Sequence, residues 1–161
     1  MKEISEAEWL LTELWLDSHA PVHRLVIDHG SNFDPAPLGS DIKPGAPKCC
    51  FRNAAILASQ DPLRFVYYEG FATYRFPTAE SFERSWPPQM HAWCVEGASR
   101  VVDPTWTEQL HLQPLAYRGL ALPLKLVEPF AYKLSRGTLQ NYARRIDQLY
   151  RVLGLAPPTT R

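Results

Sequence analysis

An α+β fold is predicted from three observations. A capped amphipathic segment opens the chain, another closes it, and between them lie runs rich in aromatic and β-branched side chains. The chain also carries 15 Pro with 5 Trp, 7 Tyr and 7 Phe, a composition of long ordered loops over a compact core rather than of a helical bundle. With 161 residues, 45% of them hydrophobic, a single domain over 1–161 with a sizeable core is expected.

Seventeen basic and 17 acidic side chains cancel. No Lys/Arg stripe is present to displace counterions from a phosphate backbone, so nucleic acid is not an expected partner. Residues 1–5 carry charge and no apolar run, unlike a secretory leader. No run approaches the ~18 apolar residues of a membrane span. Three cysteines, two of them adjacent, do not make a disulfide framework, so a reducing cytoplasm is the expected location.

Taken in order, Ser5-Glu6-Ala7-Glu8 reads as a capping box ahead of a helix over 6–18, which Pro21 is expected to end. Arg24-Leu25-Val26-Ile27 reads as a short strand. Residues 29–47 hold four prolines and three glycines, a long irregular loop bordering whatever follows. A helix is expected over 50–59, stopped by Asp61-Pro62. A strand follows over 64–74, then a polar loop over 77–90 with a helical turn near 79–84. Two strands over 91–96 and 99–103 come next, and another over 122–127 broken by Pro123. Thr138 N-caps an amphipathic helix to Leu153, closed by Gly154.

Chemistry concentrates in Lys48-Cys49-Cys50-Phe51, His91-Ala92-Trp93 and Val102-Asp103-Pro104-Thr105. A thiol is a useful nucleophile only as thiolate, a form that a helix N-terminus or a nearby imidazolium favours. Cys50 stands at such a helix start. His91 is the matching base and Asp103 the group that orients it. Each has an ordinary structural use alone: buried Cys, hydrogen-bonded His, Asp-Pro turn. The joint order is what points to acyl transfer.

Cys-aromatic-x-x-Ala on a helix, His-Ala-Trp opening a strand and Val-Asp-Pro-Thr ending the next resemble the transglutaminase-like branch of the papain-like cysteine enzymes. The resemblance covers residues 45–106. It implies a central Cys-bearing helix packed on an antiparallel sheet that carries His91 and Asp103, with a core of about 45–128 and flanking N- and C-terminal helices. It implies a cysteine-dependent amide or acyl-transfer activity of peptidase, amidase, deamidase or transglutaminase type, acting on a peptide or protein amide with no cofactor and no metal. Many relatives carry Gly-Gln before the Cys, where this chain has Pro47-Lys48-Cys49. The Cys50 N–H is one oxyanion donor in this reading, and Gln89 is the candidate second.

Helix geometry selects Cys50 over Cys49. Cys50, Ala54 and Leu57 share a face fit for a sheet, whereas Cys49 shares one with polar Asn53 and Gln60. Strand parity adds a condition. A two-residue turn at Gly97-Ala98 would put Asp103 and His91 on opposite faces. A three-residue loop, Glu96-Gly97-Ala98, pairs Val95 with Ser99 and sets Asp103 across from His91. An odd-length loop is therefore predicted.

A zinc site of Cys49, Cys50, His91 and Cys94 is the rival chemistry, disfavoured because His91 and Cys94 are three apart on one strand and so face opposite ways. His19, His23 and His29 read as scattered surface residues. Trp93 shares the His91 face and is the candidate substrate-lining aromatic. Glu69 reads as a strand-end charge in solvent rather than a site acid. The alternative function is a catalytically inactive binding module with the same fold.

Overall fold

A computed structural model describes residues 5–75, 87–106, 113–134 and 136–158. The chain folds as α+β. Helix α1 (Glu6–Leu16) opens with the expected capping box: Glu8 N–H donates to Ser5 Oγ (3.2 Å) and Ser5 N–H to Glu8 Oε2 (2.9 Å). Its Leu10 and Leu14 are buried.

Helix α1 stops at Leu16, short of the expected residue 18, and Pro21, expected to end it, instead begins α2 (Pro21–His29). Proline at the first helical position loses no intrahelical bond and presets φ. The stretch expected as a strand, Arg24 to Ile27, is therefore helical, and its Leu25, Val26 and Ile27 are core residues. The following loop is irregular as expected apart from β1 (Ser31–Phe33), which pairs with β5 (Gln113–Ala121).

Helix α3 (Cys50–Gln60) is made for close packing: Ala54, Ala55 and Ala58 have no exposed surface. The Cys94 thiol donates to Ala54 O (3.2 Å), pinning the helix to strand β3 (Gln89–Glu96). Strand β2 (Phe65–Arg75) pairs with both β3 and β5, and β4 (Arg100–Val102) pairs with β3. The result is a five-stranded antiparallel sheet in the order β1-β5-β2-β3-β4.

Alternation gives this sheet two unlike faces. Tyr67, Phe71, Ala92, Cys94, Val102 and Leu120 join the main core with α1 to α3. Phe33, Ala72, Trp93, Val95, Val101 and Tyr117 form a second, aromatic cluster on the other side. Glycine permits the latter: a Cβ on Gly119 would stand 2.6 Å from Trp93 Cη2.

Two further expectations are corrected. Residues 122–127 are not a strand. Pro123 precedes helix α4 (Leu124–Leu134), and the strand is β5, one step earlier. Tyr132 Oη donates to Ala55 O (2.9 Å), joining α4 to α3. The C-terminal helix is divided into α5 (Thr138–Tyr142), a 3₁₀ turn (Ala143–Arg145) and α6 (Ile146–Leu153). Gly154 closes α6 with φ 66°, the left-handed conformation glycine adopts without strain. The N-cap of α5 is Gly137, not Thr138, and no side chain of its own caps it. The helical turn expected near 79–84 lies outside the described residues. No helix among the described residues is long and apolar enough to cross a membrane.

The missing cap comes from Glu69, which is not a solvent-facing strand-end charge but a fully buried one. Thr138 N–H donates to its Oε2 (2.9 Å), Leu139 N–H to its Oε1 (2.6 Å), and Tyr67 Oη to its Oε2 (3.0 Å). Burial pushes its pKa up to about 7 against the pull of these donors. A folded value raised above the ordinary 4.5 means the native state holds this proton more tightly, so the associated stability is present below about pH 4.5 and is lost as pH rises towards 7. Glu69→Gln is expected to flatten the fall in unfolding free energy between pH 5 and 8 by up to roughly 3 kcal/mol, read by urea denaturation at each pH.

Candidate active site

The sequence-predicted trio stands at the ends of three elements. His91 lies near the start of β3, Asp103 directly follows β4, and Cys50 is the first residue of α3. The β3–β4 loop is three residues long, as parity required, but the register is shifted by two from the expected pairing. Glu96 pairs with Arg100 and Cys94 with Val102, so the loop is Gly97-Ala98-Ser99, with Gly97 at φ 62°. Continued by one step, this register sets Asp103 opposite Trp93 rather than His91. The two side chains still share a face, and the carboxylate reaches the ring diagonally.

His91 Nε2–H donates to Asp103 Oδ2 at 2.7 Å. The same oxygen accepts from Tyr117 Oη (3.0 Å). The other, Oδ1, accepts from the backbone N–H of Thr105 (2.9 Å) and of Trp106 (3.3 Å). Pro104 lacks an N–H, so strand pairing stops and the chain wraps its next two amides around the carboxylate. Asp103 is 2% and His91 8% exposed.

These contacts decide the protonation states. For Asp103, burial alone would raise the pKa, but the His91 charge and hydrogen bond, with those of Thr105 and Tyr117, hold it below the ordinary carboxylate value. For His91, burial works against the charged ring. Electrostatic interactions with Tyr74, Asp103 and Cys50, and the Asp103 hydrogen bond, act the other way and prevail, leaving the pKa well above the usual imidazole value. An ionised Asp103 can only accept, so Nε2 carries the hydrogen and Nδ1 is the nitrogen left to take up a proton.

Cys50 is half-buried and close enough to the His91 ring to be coupled to it electrostatically. The helix start is built without a side-chain cap or a first-turn acid: Cys49 is the N-cap, preceded by Lys48 in the left-handed conformation (φ 61°). The unpaired amides of such a first turn present positive potential. Asn53, one turn on, fixes the helix against the Asp103 turn. Its amide donates to Ala46 O (2.7 Å) and Thr105 Oγ1 (3.0 Å), and Gly45 N–H donates to Pro104 O (2.7 Å).

The two supporting candidates stand differently. Trp93 does share the His91 face, with rings stacked at 6.4 Å and 13°, but it has no exposed surface and therefore backs the imidazole from within instead of lining a cleft for substrate. Gln89 is half-buried, and its amide donates to Pro87 O (2.9 Å), which engages one of its two hydrogens. His91 and Cys94 face opposite sides, as β alternation dictates. Among the described residues no group of three His, Cys, Asp or Glu side chains is placed to hold a metal. His23 packs on Phe71 (4.5 Å) and His29 bonds Ala156 O (3.1 Å), so these histidines serve separate contacts.

The sequence gives no site role to Tyr117, Thr105, Asn53 or Tyr74, although Thr105 and Asn53 fall within its motifs. Tyr74 sets its ring edge-on to His91 at 6.0 Å, and burial pushes its phenol up to about 12. Alternation from Tyr68 and Ala72 puts Tyr74 on the aromatic face, and the ladder irregularity beside it leaves Leu115 of β5 as the extra residue. A cleft of about 410 Å³ lies elsewhere, between residues 41–45, the Asn53–Gln60 side of α3 and Arg64. Comparison with protein-family models, curated proteins and solved structures finds no match to this chain.

Asp103→Asn keeps an acceptor for Thr105 and removes the charge. Burial then dominates at His91, and its titration midpoint, followed by NMR of labelled histidine, is expected to fall by about 1 pH unit or more.

Proposed function

We propose that the protein is a cysteine-dependent acyl-transfer enzyme of the transglutaminase-like, papain-related type, acting on a peptide or protein amide. The observation that carries the reading is the buried His91–Asp103 hydrogen bond, with Cys50 close enough to the same ring to be coupled to it electrostatically. The antiparallel sheet with α3 against it, and His91 and Asp103 presented from neighbouring strands, supports the family resemblance of residues 45–106.

In this reading His91 Nδ1 takes the Cys50 proton as the sulfur adds to the amide carbonyl carbon. The tetrahedral oxyanion forms beside the first-turn amides of α3, with the Cys50 N–H as one donor. Collapse breaks the C–N bond, the imidazolium returns its proton to the leaving amine, and a thioester remains on Cys50. Water or a second amine then attacks the thioester with His91 again as base, releasing the acid or a new amide. Asp103 keeps Nε2–H engaged throughout and offsets the positive ring. The work belongs to a reducing, cytoplasmic setting, where Cys49, Cys50 and Cys94 stay free thiols.

One observation favours the second reading, a binding module without chemistry: neither Cys50 nor His91 lines the 410 Å³ cleft. Iodoacetamide at pH 6 separates the two. The enzyme reading expects Cys50 to be carboxamidomethylated at least about tenfold faster than Cys49, with the difference abolished by His91→Ala, as mapped by peptide mass spectrometry. A Cys50 as slow as Cys49 in the native protein, unaffected by His91→Ala, would leave the binding module standing.

A further inference from the structure

We propose that Tyr117 is a positioning residue of the site, which sets how firmly Asp103 grips the His91 ring by occupying the same carboxylate oxygen. The inference rests on reading Cys50, His91 and Asp103 as a thiol acyl-transfer site.

The geometry is specific. Asp103 Oδ1 is held by two backbone amides, which serve the turn. Oδ2 is divided between His91 Nε2 at 2.7 Å and Tyr117 Oη at 3.0 Å. Tyr117 has no freedom to leave. It is 1% exposed, paired with Phe33 on one side and Ala72 on the other, and its ring packs at 4.9 Å from Trp93 and 6.0 Å from His91. Burial and the Asp103 charge hold its phenol well above the usual tyrosine value, so it keeps its hydrogen and remains a donor.

The charged or titratable groups that face His91 are Tyr74 from β2, Asp103 from the turn after β4 and Cys50 from α3. Tyr117 from β5 packs on the ring as well, but its hydroxyl bonds Asp103, so the polar part of its influence passes through the carboxylate. A neutral donor on Oδ2 satisfies part of the carboxylate charge and weakens its pull on the imidazolium. That matters for a group that must return its proton. A base held too firmly in its charged form cannot act as the acid for the leaving amine, and proton transfer is most effective when the ring titrates near working pH. With Tyr117 removed, the freed and buried Oδ2 has His91 as its sole remaining partner among these donors and holds it harder.

The test reads a sign. In histidine-labelled protein, Tyr117→Phe is expected to raise the His91 NMR titration midpoint by about 0.5–1 pH unit, and to move the pH profile of Cys50 alkylation with it. Site-specific 3-fluorotyrosine at 117, a near-isosteric and stronger donor, is expected to move the midpoint below that of the unmodified protein. A purely structural role predicts neither the upward shift nor the reversal. A folded Tyr117→Phe protein whose midpoint is unchanged or lower overturns the proposal. Should that variant not fold, the fluorotyrosine protein decides, and a midpoint at or above the unmodified value overturns it. Midpoints that move as expected beside a Cys50 inert to iodoacetamide overturn the acyl-transfer reading and leave the Tyr117–Asp103–His91 coupling supported.

Discussion

The carboxylate of Asp103 is the point on which the site depends. It is almost wholly enclosed, and an ion in that position is tolerated only when its oxygens are supplied with donors. Four arrive, from three different parts of the chain: two backbone amides of its own turn, a ring from β3 and a phenol from β5. Each is costly to lose, since the others cannot move to replace it. The sheet order β5-β2-β3-β4 is what makes the convergence possible, because Tyr117, His91 and the end of β4 all look to the same side of it.

A second buried carboxylate shows why donors alone do not fix the outcome. Glu69 receives two backbone amides and a tyrosine hydroxyl, nearly the same set as Asp103, yet burial wins and its pKa is pushed up to about 7. Asp103 is held low. The difference is the partner: Asp103 faces a ring that can carry positive charge, whereas every donor to Glu69 is neutral. Neutral dipoles reduce the cost of burying a charge, and a counter-charge at contact removes much more of it. The two carboxylates accordingly do different jobs. Glu69 on the helix side of the sheet closes the start of α5 and ties the C-terminal segment down. On the aromatic side, Asp103 stays ionised and fixes which nitrogen of His91 is basic.

The signals legible in the sequence were those with local causes. The Ser5–Glu8 capping box, the start of α3 at Cys50, the strand over Phe65–Arg75 and the odd β3–β4 loop each follow from residues within a few positions. Parity placed His91 and Asp103 on one face, and their hydrogen bond agrees with it, although the register came two residues away. Parity is insensitive to a shift of two, and only loop geometry distinguishes the alternatives. The failures share a different cause. Leu25-Val26-Ile27 has strand-like composition, but Pro21 and burial against the core make it helix. Pro114 and Gly119 interrupt the apolar pattern of β5, so neither that strand nor Tyr117 announced itself. An aromatic–apolar run over Leu115–Ala121 was the signal available. Glu69 reads as polar in a strand of aromatics, and nothing local says that an amide pair 70 residues away will meet it.

The two-faced sheet also sets how the thiol and the imidazole relate. Helix α3 lies against the face that carries Cys94, while His91 is on the other, so Cys50 acts on the ring around an edge of the sheet and not through it. That edge exists because β4 stops. It pairs with Cys94 to Glu96 of β3, then ends at Asp103-Pro104, where proline withholds the next ladder donor. Thr105, just past the stop, takes the Asn53 amide, and Pro104 O takes that of Gly45, so the turn that halts the strand also receives the first turns of α3. A longer β4 would carry the ladder on past Trp93 towards His91 and leave the helix start no place at that edge. The Asp-Pro-Thr segment thus does three things with one change of direction: it ends a strand, encloses a carboxylate with its own amides, and seats the N-terminus of the helix that bears the thiol.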